Sequence, residues 1–363
     1  MRLKKLFSKT NNRGRHKEAC PQMTRAVRQA YEFGAKPFEG LSYSVYDQMQ
    51  QDAMVQTALT LKKLGVLAAE YAVKPSDASP EAKRNADFVE SVFAGMEGSP
   101  HAILFQAMDA FAKGWSVQEM VYDTDGRHIV LRTVRAKDPQ TFGLEVNAYG
   151  TITGLNLRLP GEPERKLPRE KFVIYGNRPT YGSVVGRSDL DAAYRHWQAK
   201  GVLLSAWRQH LERFASPTVL GKFLRGLPVE EQNALLGSLQ NLHRTTAIVY
   251  PSEIELSTLG GSKESSSGFI EAIEFHNREI ARSILGQTLT TDEGRRVGSL
   301  ALGKVHLQVF LMQLEALRAE LADIVMTEQV VRPLVEMNYG PGKVPSFVFA
   351  KPKASLFATG DMP

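Results

Sequence analysis

Residues 186–200 read GRSDLDAAYRHWQAK, and they mark the point where a glycine-containing loop becomes a long helix. Ser188 stands where a helix N-cap is expected, because a serine side chain can accept a hydrogen bond from the first helical turn. Apolar side chains then recur at helical spacing until Pro217 ends the pattern. The sequence therefore predicts one amphipathic helix over residues 189–214. Its apolar positions are Trp197, Leu203, Leu204, Trp207, Leu211 and Phe214.

A second helical pattern, over residues 269–285, leads into a loop at residues 286–296 that reads GQTLTTDEGRR. This loop has too little apolar content to pack, so we expect it to project into solvent or into a lumen. A third helical pattern, over residues 297–331, carries few charges and has no break until Pro333. At 1.5 Å per residue it predicts a rod on the order of 50 Å long. A helix this long with so few charges needs other protein surfaces to pack against along most of its length.

The segment between the first two helices predicts a small α/β unit. Residues 218–224 and 247–259 have strand composition, and residues 229–242 form a helical pattern behind Pro228. Residues 260–268 read GGSKESSSG, a composition typical of a flexible linker.

The N-terminal part of the chain predicts helices followed by strands. Helical patterns cover residues 44–73, 80–93 and 100–111, with Ser79 and Ser99 as caps of the last two. Turn signals then separate β-rich segments at residues 116–122, 129–135, 141–147 and 151–157, which predict an antiparallel meander. Residues 172–175 add a short strand. The predicted fold class is therefore α+β and mainly helical.

Composition limits the class of protein. The 363 residues are 43% hydrophobic, which is ample for a buried core, and no run of about 18 apolar residues is long enough to span a bilayer. The first residues have no apolar stretch before a cleavage site, so a secretory signal is not expected. Cys20 is the single cysteine, which excludes an intramolecular disulfide framework and is normal for assembly in a reducing compartment.

The formal net charge of +6 is concentrated at the start of the chain, where residues 1–17 contain lysines and arginines but no acidic residue. Such an arm can meet DNA phosphates through counterion release, or it can be a solvated terminus, and the pattern does not decide between the two.

Motifs for catalysis are weak. Residues 298–305 read GSLALGKV, which matches a phosphate-binding loop except at the last position, where Val305 replaces the Ser or Thr that binds magnesium. This segment also lies inside a helical pattern, so a helix start with small residues is the preferred interpretation. The eight histidines form no His-x-x-x-His pair, and no acidic cluster has calcium-loop spacing. We expect no metal, no cofactor and no enzymatic activity.

Two stretches carry a resemblance to a known family. The first is residues 186–200 together with ERFASP at residues 212–217, and the second is IARSILGQTLTTD at residues 280–292, followed by GSLA at residues 298–301. Each is long and non-repetitive. From about Tyr46 to Tyr339 the chain resembles the portal proteins of Mu-like tailed bacteriophages.

The resemblance implies a portal fold in which each segment has a role. Residues 44–188 and the long helix at 297–336 would form a wing, residues 189–215 and 269–285 two stem helices, residues 216–268 a clip with its linker, and residues 286–296 a tunnel loop. Residues 1–43 would be a basic arm and N-terminal segment, and residues 337–363 a short C-terminal tail, so a long helical crown is not expected. The residues expected to contact DNA in the tunnel loop are Gln287, Thr288, Thr290, Thr291, Arg295 and Arg296. For Arg295 and Arg296, salt bridges or contacts with the helix dipole near the start of the next helix are an equal alternative.

The same resemblance implies a function. Copies of the chain, twelve by the family pattern, would form a ring at one capsid vertex of the virion, after assembly in the host cytoplasm. Its partners would be the major capsid protein, the terminase large subunit, a head-tail connector or adaptor, and double-stranded DNA without sequence preference, but no membrane. In the stem, Trp197, Trp207 and Phe214 are expected to pack between subunits, although tryptophans can also stack on bases. The alternatives are a DNA-packaging ATPase or nuclease and a non-channel structural adaptor of the head.

Overall fold

The computed structural model describes residues 41–147, 149–179, 185–215, 219–223, 226–243, 247–251, 265–287 and 300–350. The chain divides into two units, one formed by residues 1–193 with 281–363 and the other by residues 194–280.

The first unit begins with short helices. They are α1 (Tyr43–Met49), α2 (Ala53–Leu67), α3 (Pro80–Gly95), α4 (Pro100–Ala107) and α5 (Ala110–Lys113). Ser79 and Ser99 cap α3 and α4 as expected, since their side chains accept hydrogen bonds from Ala82 and Ala102.

The single helix predicted over residues 44–73 is wrong. Asp52 interrupts it, because its carboxylate accepts hydrogen bonds from the backbone N–H groups of Met54 and Val55 and starts a new helix. The second helix ends at Leu67, and strand β1 (Tyr71–Lys74) follows. This strand pairs in antiparallel fashion with a strand near the end of the described chain, Ser346–Phe349, where the Tyr71 and Phe347 rings stack with centroids 4.9 Å apart. Helical periodicity alone could not show a partner this distant in sequence.

The expected antiparallel strands are present, but they form two sheets instead of one meander. The strands are β2 (Trp115–Thr124), β3 (Ile129–Lys137), β4 (Phe142–Val146), β5 (Ile152–Leu157), β6 (Arg165–Pro168) and β7 (Phe172–Gly176). The first sheet has the order β3-β2-β7, and the second has the order β4-β5-β6. Pro139 in a 3-10 turn separates the sheets, with Asp138 capping the turn. Strand β6 was not predicted, because its sequence, RKLP, has no apolar alternation.

An apolar cluster holds the two sheets together. Trp115, Val117, Phe172 and Ile174 of the first sheet are buried against Leu155 of the second. The indole N–H of Trp115 donates to the Tyr43 hydroxyl at 2.7 Å, so its polar group is satisfied.

The long C-terminal helix is present but is not one regular α-helix. Helix α9 (Leu300–Glu320) continues into a π-helical segment (Leu321–Val331) and then into α10 (Arg332–Tyr339). Pro333 therefore does not end the helix, and it lies in the first turn of α10, directly after the π-helical segment. The π-helical turns are supported by side chains that bond carbonyls five residues back: the Thr327 hydroxyl to Ala322, and the Gln329 amide to Ile324.

The π-helical segment also bonds to two strands, one in the first sheet and one near the end of the described chain. The Gln329 amide pairs with both backbone groups of Ile174, accepting from its N–H at 2.8 Å and donating to its carbonyl at 2.9 Å. Thr327 accepts from the backbone N–H of Phe347 at 3.0 Å. The outer edge of β7 and the start of the last strand, β10 (Ser346–Phe349), are thus both satisfied by this segment.

The second unit contains a strand, a helix and a strand between two longer helices. Helix α6 (Leu190–Ala215) enters it from the first unit, and α8 (Ser265–Leu285) leaves it. Between them lie β8 (Val219–Phe223), α7 (Val229–His243) and β9 (Ala247–Pro251), with the two strands parallel. The predicted strand–helix–strand order is confirmed, and the predicted continuation to residue 259 lies outside the described residues. Residues 265–268, predicted as linker, instead form the first turn of α8.

Within the described ranges, none of the helices combines the length and the apolar content needed to cross a bilayer.

Candidate functional site

The N-terminal end of α6 with the loop before it, residues 186–191, is named here the root of α6. It is built around the buried carboxylate of Asp189. The Asp189 side chain has no exposed surface, and its Oδ2 lies 2.6 Å from the Lys62 ammonium. Its Oδ1 accepts from the Asn177 amide at 2.9 Å and from the Arg178 guanidinium. Because a buried charge is costly without partners, this set of hydrogen bonds and ion pairs is what permits Asp189 to lie inside the fold.

The expected cap is present beside it. The Ser188 hydroxyl accepts from the backbone N–H of Leu190 at 3.0 Å and donates to the carbonyl of Ala112 at 2.5 Å. The backbone N–H of Asp189 donates to the carbonyl of Phe111 at 2.8 Å. The start of α6 is therefore bonded directly to the end of α5, through both side chain and backbone.

Two glycines allow these segments to approach closely. A Cβ atom at Gly186 would lie 2.1 Å from the backbone oxygen of Asn177. Gly114 has φ +84°, and a Cβ atom there would lie 2.9 Å from the carbonyl oxygen of Gly186. The first residue of the GRSDL stretch must therefore be a glycine for this packing to exist.

The first turn of α6 carries a second carboxylate, Asp191, which also has a partner. The Tyr46 hydroxyl donates to Asp191 Oδ1 at 2.6 Å. Burial, opposed by this hydrogen bond, raises the pKa of Asp191, and burial together with the nearby carboxylate raises the pKa of Tyr46. The phenol therefore stays protonated and acts as a hydrogen-bond donor that joins α1 to α6.

In the second unit, side chains of α6 and α8 meet at two levels. His196 and His276 place their Nδ1 atoms 3.0 Å apart, and the rings of His210 and Phe269 have centroids 5.6 Å apart. The residue numbers rise along α6 while they fall along α8, so the two helices are antiparallel. No signal in the sequence pointed to this contact, since the two histidines are 80 positions apart.

The tryptophans expected in subunit contacts both lie on α6. The Trp197 ring stacks on Tyr194 of its own helix at 6.1 Å. The indole Nε1 of Trp207 is buried and has no hydrogen-bond partner within the described part of the chain. The side chain of Phe214 lies outside the described residues. Packing between subunits stays a prediction for all three.

Of the expected DNA-contacting loop, only the first residues are described. Gly286, at φ +73°, ends α8 in the left-handed conformation common at helix C-termini. The Gln287 side chain is 6% exposed in a single copy, and its contact with DNA stays a prediction. Thr288, Thr290, Thr291, Arg295 and Arg296 lie outside the described residues.

The structure gives no support to the phosphate-binding interpretation of residues 298–305. Residues 300–304 are already helical in α9, whereas a phosphate loop needs this stretch to curl around the phosphates. In the described ranges, no three histidine, cysteine, aspartate or glutamate side chains come together as metal ligands.

A mainly helical α+β chain in which a helix pair brackets a small α/β unit is also found among solved structures. A chain from the neck of an empty GTA (gene transfer agent) particle, computed with C6 symmetry, has a TM-score of 0.60 at 17% identity and covers 91% of this chain and 90% of its own. A chain from the neck of a native GTA particle, computed with C12 symmetry, has a TM-score of 0.55 at 14% identity, with coverage of 90% and 88%.

Sequence comparison identifies the family. The model of the family described as the portal protein of Mu bacteriophage matches residues 43–359, and the chain belongs to this family. It is 26% identical over 298 residues to the Mu-like prophage FluMu protein gp29 of Haemophilus influenzae, and 24% identical over 296 residues to the portal protein of Escherichia phage Mu. These alignments cover 80% and 81% of this chain but 56% of each relative, so the chain spans little more than half the length of those proteins.

Proposed function

We propose that copies of this chain form a portal ring at one vertex of a phage capsid, through whose bore double-stranded DNA enters and leaves. Membership of the Mu portal family supports the proposal, as do structural neighbours from particle necks computed with C6 and C12 symmetry. Twelve copies is the number we propose.

The observation that carries the proposal is the pair of helices in the second unit. Helix α6 starts from a rigid, buried root at Asp189, yet along its length Val202 is 70% exposed and Leu211 is 45% exposed. A single copy leaves this apolar surface in water, which is unfavourable in proportion to its area. Neighbouring copies placed side by side around a bore would remove it from water.

In this proposal the segments have the roles that the family pattern gives them. Helices α6 and α8 form the stem, the β8-α7-β9 unit forms the clip, and the first unit forms the wing. The loop at residues 286–296 lies in the bore, where Arg295 and Arg296 contact phosphates without reading bases. A ring that lets any genome slide should hold DNA weakly, because each phosphate contact adds affinity.

The proposed role is mechanical and not enzymatic. The ring would sit in the virion after assembly in the host cytoplasm. It would contact the major capsid protein through the wing, and it would present the clip first to the terminase large subunit and then to a connector or adaptor.

Electron microscopy of the purified, negatively stained protein tests the proposal. We expect ring-shaped particles with a central hole and rotational symmetry. Particles that remain single copies at every protein concentration, under conditions where the chain is folded by circular dichroism, would contradict it.

A further inference from the structure

The helix pair of the second unit exposes apolar side chains on two opposite flanks. The row of α6 that faces α8 contains His196 and His210, which contact His276 and Phe269 of α8. His196 and His210 are two heptads apart, and Leu203 lies midway between them on the same row. Each residue along a helix turns by about 100°, so a residue just before this row and one just after it point to opposite sides of the pair.

The flanks can be followed across both helices. In an antiparallel pair, residues that precede the contact row lie on one side on both helices, and residues that follow it lie on the other. Val202 precedes Leu203 and Phe275 precedes His276, so both belong to one side, which we name flank A. Leu204 follows Leu203 and Leu211 follows His210, so both belong to the opposite side, which we name flank B.

Each flank exposes large apolar side chains to solvent in a single copy, and flank A also carries the exposed Arg195 and Gln209. On flank A, Val202 is 70% exposed and Phe275 is 47% exposed. On flank B, Leu204 is 41% exposed and Leu211 is 45% exposed. The Phe275 ring is held against the edge of the pair by an edge-to-face contact with His196 at 6.0 Å, so it is positioned before any partner arrives.

We propose that flank A of one copy packs against flank B of the next copy, so that the two flanks are the two halves of one repeated interface. This inference rests on the proposed ring, and it names the surface through which the ring closes. Rotational symmetry requires such a head-to-tail contact, in which two different patches meet at every junction. One helix pair with an apolar patch on each side meets that requirement, because each copy then covers both of its patches. A single partner protein bound to one side would leave the other patch in water.

Cysteine pairs test the assignment in the full-length chain. With Cys20, the single cysteine, replaced by serine, the double variant Val202→Cys with Leu204→Cys places one thiol on each flank. Within one copy these two thiols point to opposite sides of α6, so a disulfide must join two copies. Mild oxidation should give a ladder of covalent oligomers up to the complete ring on a denaturing gel, whereas either single variant should stay monomeric.

A second pair and a matched control complete the design. If the helix pairs are tilted, Val202 of one copy lies opposite a residue two turns further along α6 of the next copy. In that case the pair Val202→Cys with Leu211→Cys gives the ladder instead. Val202→Cys with Ser205→Cys should give none, because Ser205 is exposed on the side of α6 away from α8 and on neither flank.

The possible results distinguish a failure of the proposed interface from a failure of the proposed ring. Rings seen by electron microscopy without a ladder from either test pair would overturn the interface and leave the proposed function standing. Covalent dimers from Val202→Cys alone would mean that like flanks meet, which also overturns it. If no rings form and no ladder appears, the proposed function fails and the interface fails with it.

Discussion

The root of α6 and the flanks of the α6–α8 pair are built from opposite kinds of side chain. At the root, Asp189 is charged and fully buried, and its partners Lys62, Asn177 and Arg178 all come from the same chain. About four turns further on, Val202 and Leu204 are apolar and exposed. The root is therefore completed within one copy, whereas the flanks remain incomplete until another surface covers them. Damage to the root should unfold the chain, and damage to a flank should leave it folded and unassembled.

The largest effect is expected from Asp189→Ala. The substitution leaves the Lys62 ammonium and the Asn177 amide without their buried partner, and breaking a buried ion pair in this way typically costs about 3–5 kcal/mol. Urea unfolding followed by circular dichroism measures the loss. The control is Asp47→Ala, which removes a half-exposed partner of Lys113 at 3.0 Å and should cost about 0–1 kcal/mol. Equal losses from the two variants would contradict the role of the root.

A smaller loss is expected from Gly186→Ala. The added methyl group would lie 2.1 Å from the backbone oxygen of Asn177, and relieving such a clash typically costs about 1–3 kcal/mol. The same change at Gly201, a position in α6 with nothing within 4 Å of the added atom, should stabilise the helix by up to about 1 kcal/mol. Thermal unfolding of both variants should therefore move in opposite directions. A destabilised Gly201→Ala protein together with an unchanged Gly186→Ala protein would contradict the close packing of Gly186 against Asn177.

On the flank, Val202→Glu should act on assembly and not on folding. A carboxylate placed in an apolar interface must be desolvated, so we expect the concentration at half assembly to rise at least tenfold, or about 1.4 kcal/mol per contact. Sedimentation velocity gives the assembled fraction, and the urea midpoint should stay unchanged. Ser205→Glu, on neither flank, is the matched control. Assembly equally weakened by both substitutions would show that charge, and not the flank, matters.

The smallest effect is expected from pH. Burial lowers the pKa of His276 from its ordinary value of 6.5, the neighbouring His196 lowers it further, and Glu279 opposes both. Because the unfolded histidine then binds a proton more tightly than the folded one, stability is complete above that value and falls as pH drops through it. Two protonated rings 3.0 Å apart would also repel each other.

Thermal midpoints between about pH 7.5 and about pH 5.5 measure this dependence, since no other common side chain titrates there unless it is perturbed. The midpoint should fall slightly for the natural chain and less for His276→Gln. An identical slope for both would show that the histidine contact does not contribute.

Features set by local sequence were predictable. Helix α6 was expected to within one residue at each end, because Ser188 and Pro217 mark its limits, and the Ser79 and Ser99 caps follow from the residues themselves. The strand–helix–strand order of the second unit and its parallel topology follow from short segments with a helical crossover between them.

Features that depend on distant partners were not predictable. The pairing of Tyr71–Lys74 with Ser346–Phe349 joins segments more than 270 positions apart. Because this partner is not visible locally, the helix predicted over residues 44–73 was extended wrongly into strand β1. The π-helical turns depend on Thr327 and Gln329 finding Phe347 and Ile174. At the root of α6, the motif was recognised, but no local signal marked Lys62 or Asn177 as the partners of its aspartate.

Native mass spectrometry of the purified chain tests the central claim most directly, because it counts the copies in each particle. The account predicts one dominant closed species of twelve copies for the natural chain and a shift towards single copies for Val202→Glu. A natural chain that is folded and yet gives only the mass of one copy at every concentration would contradict it.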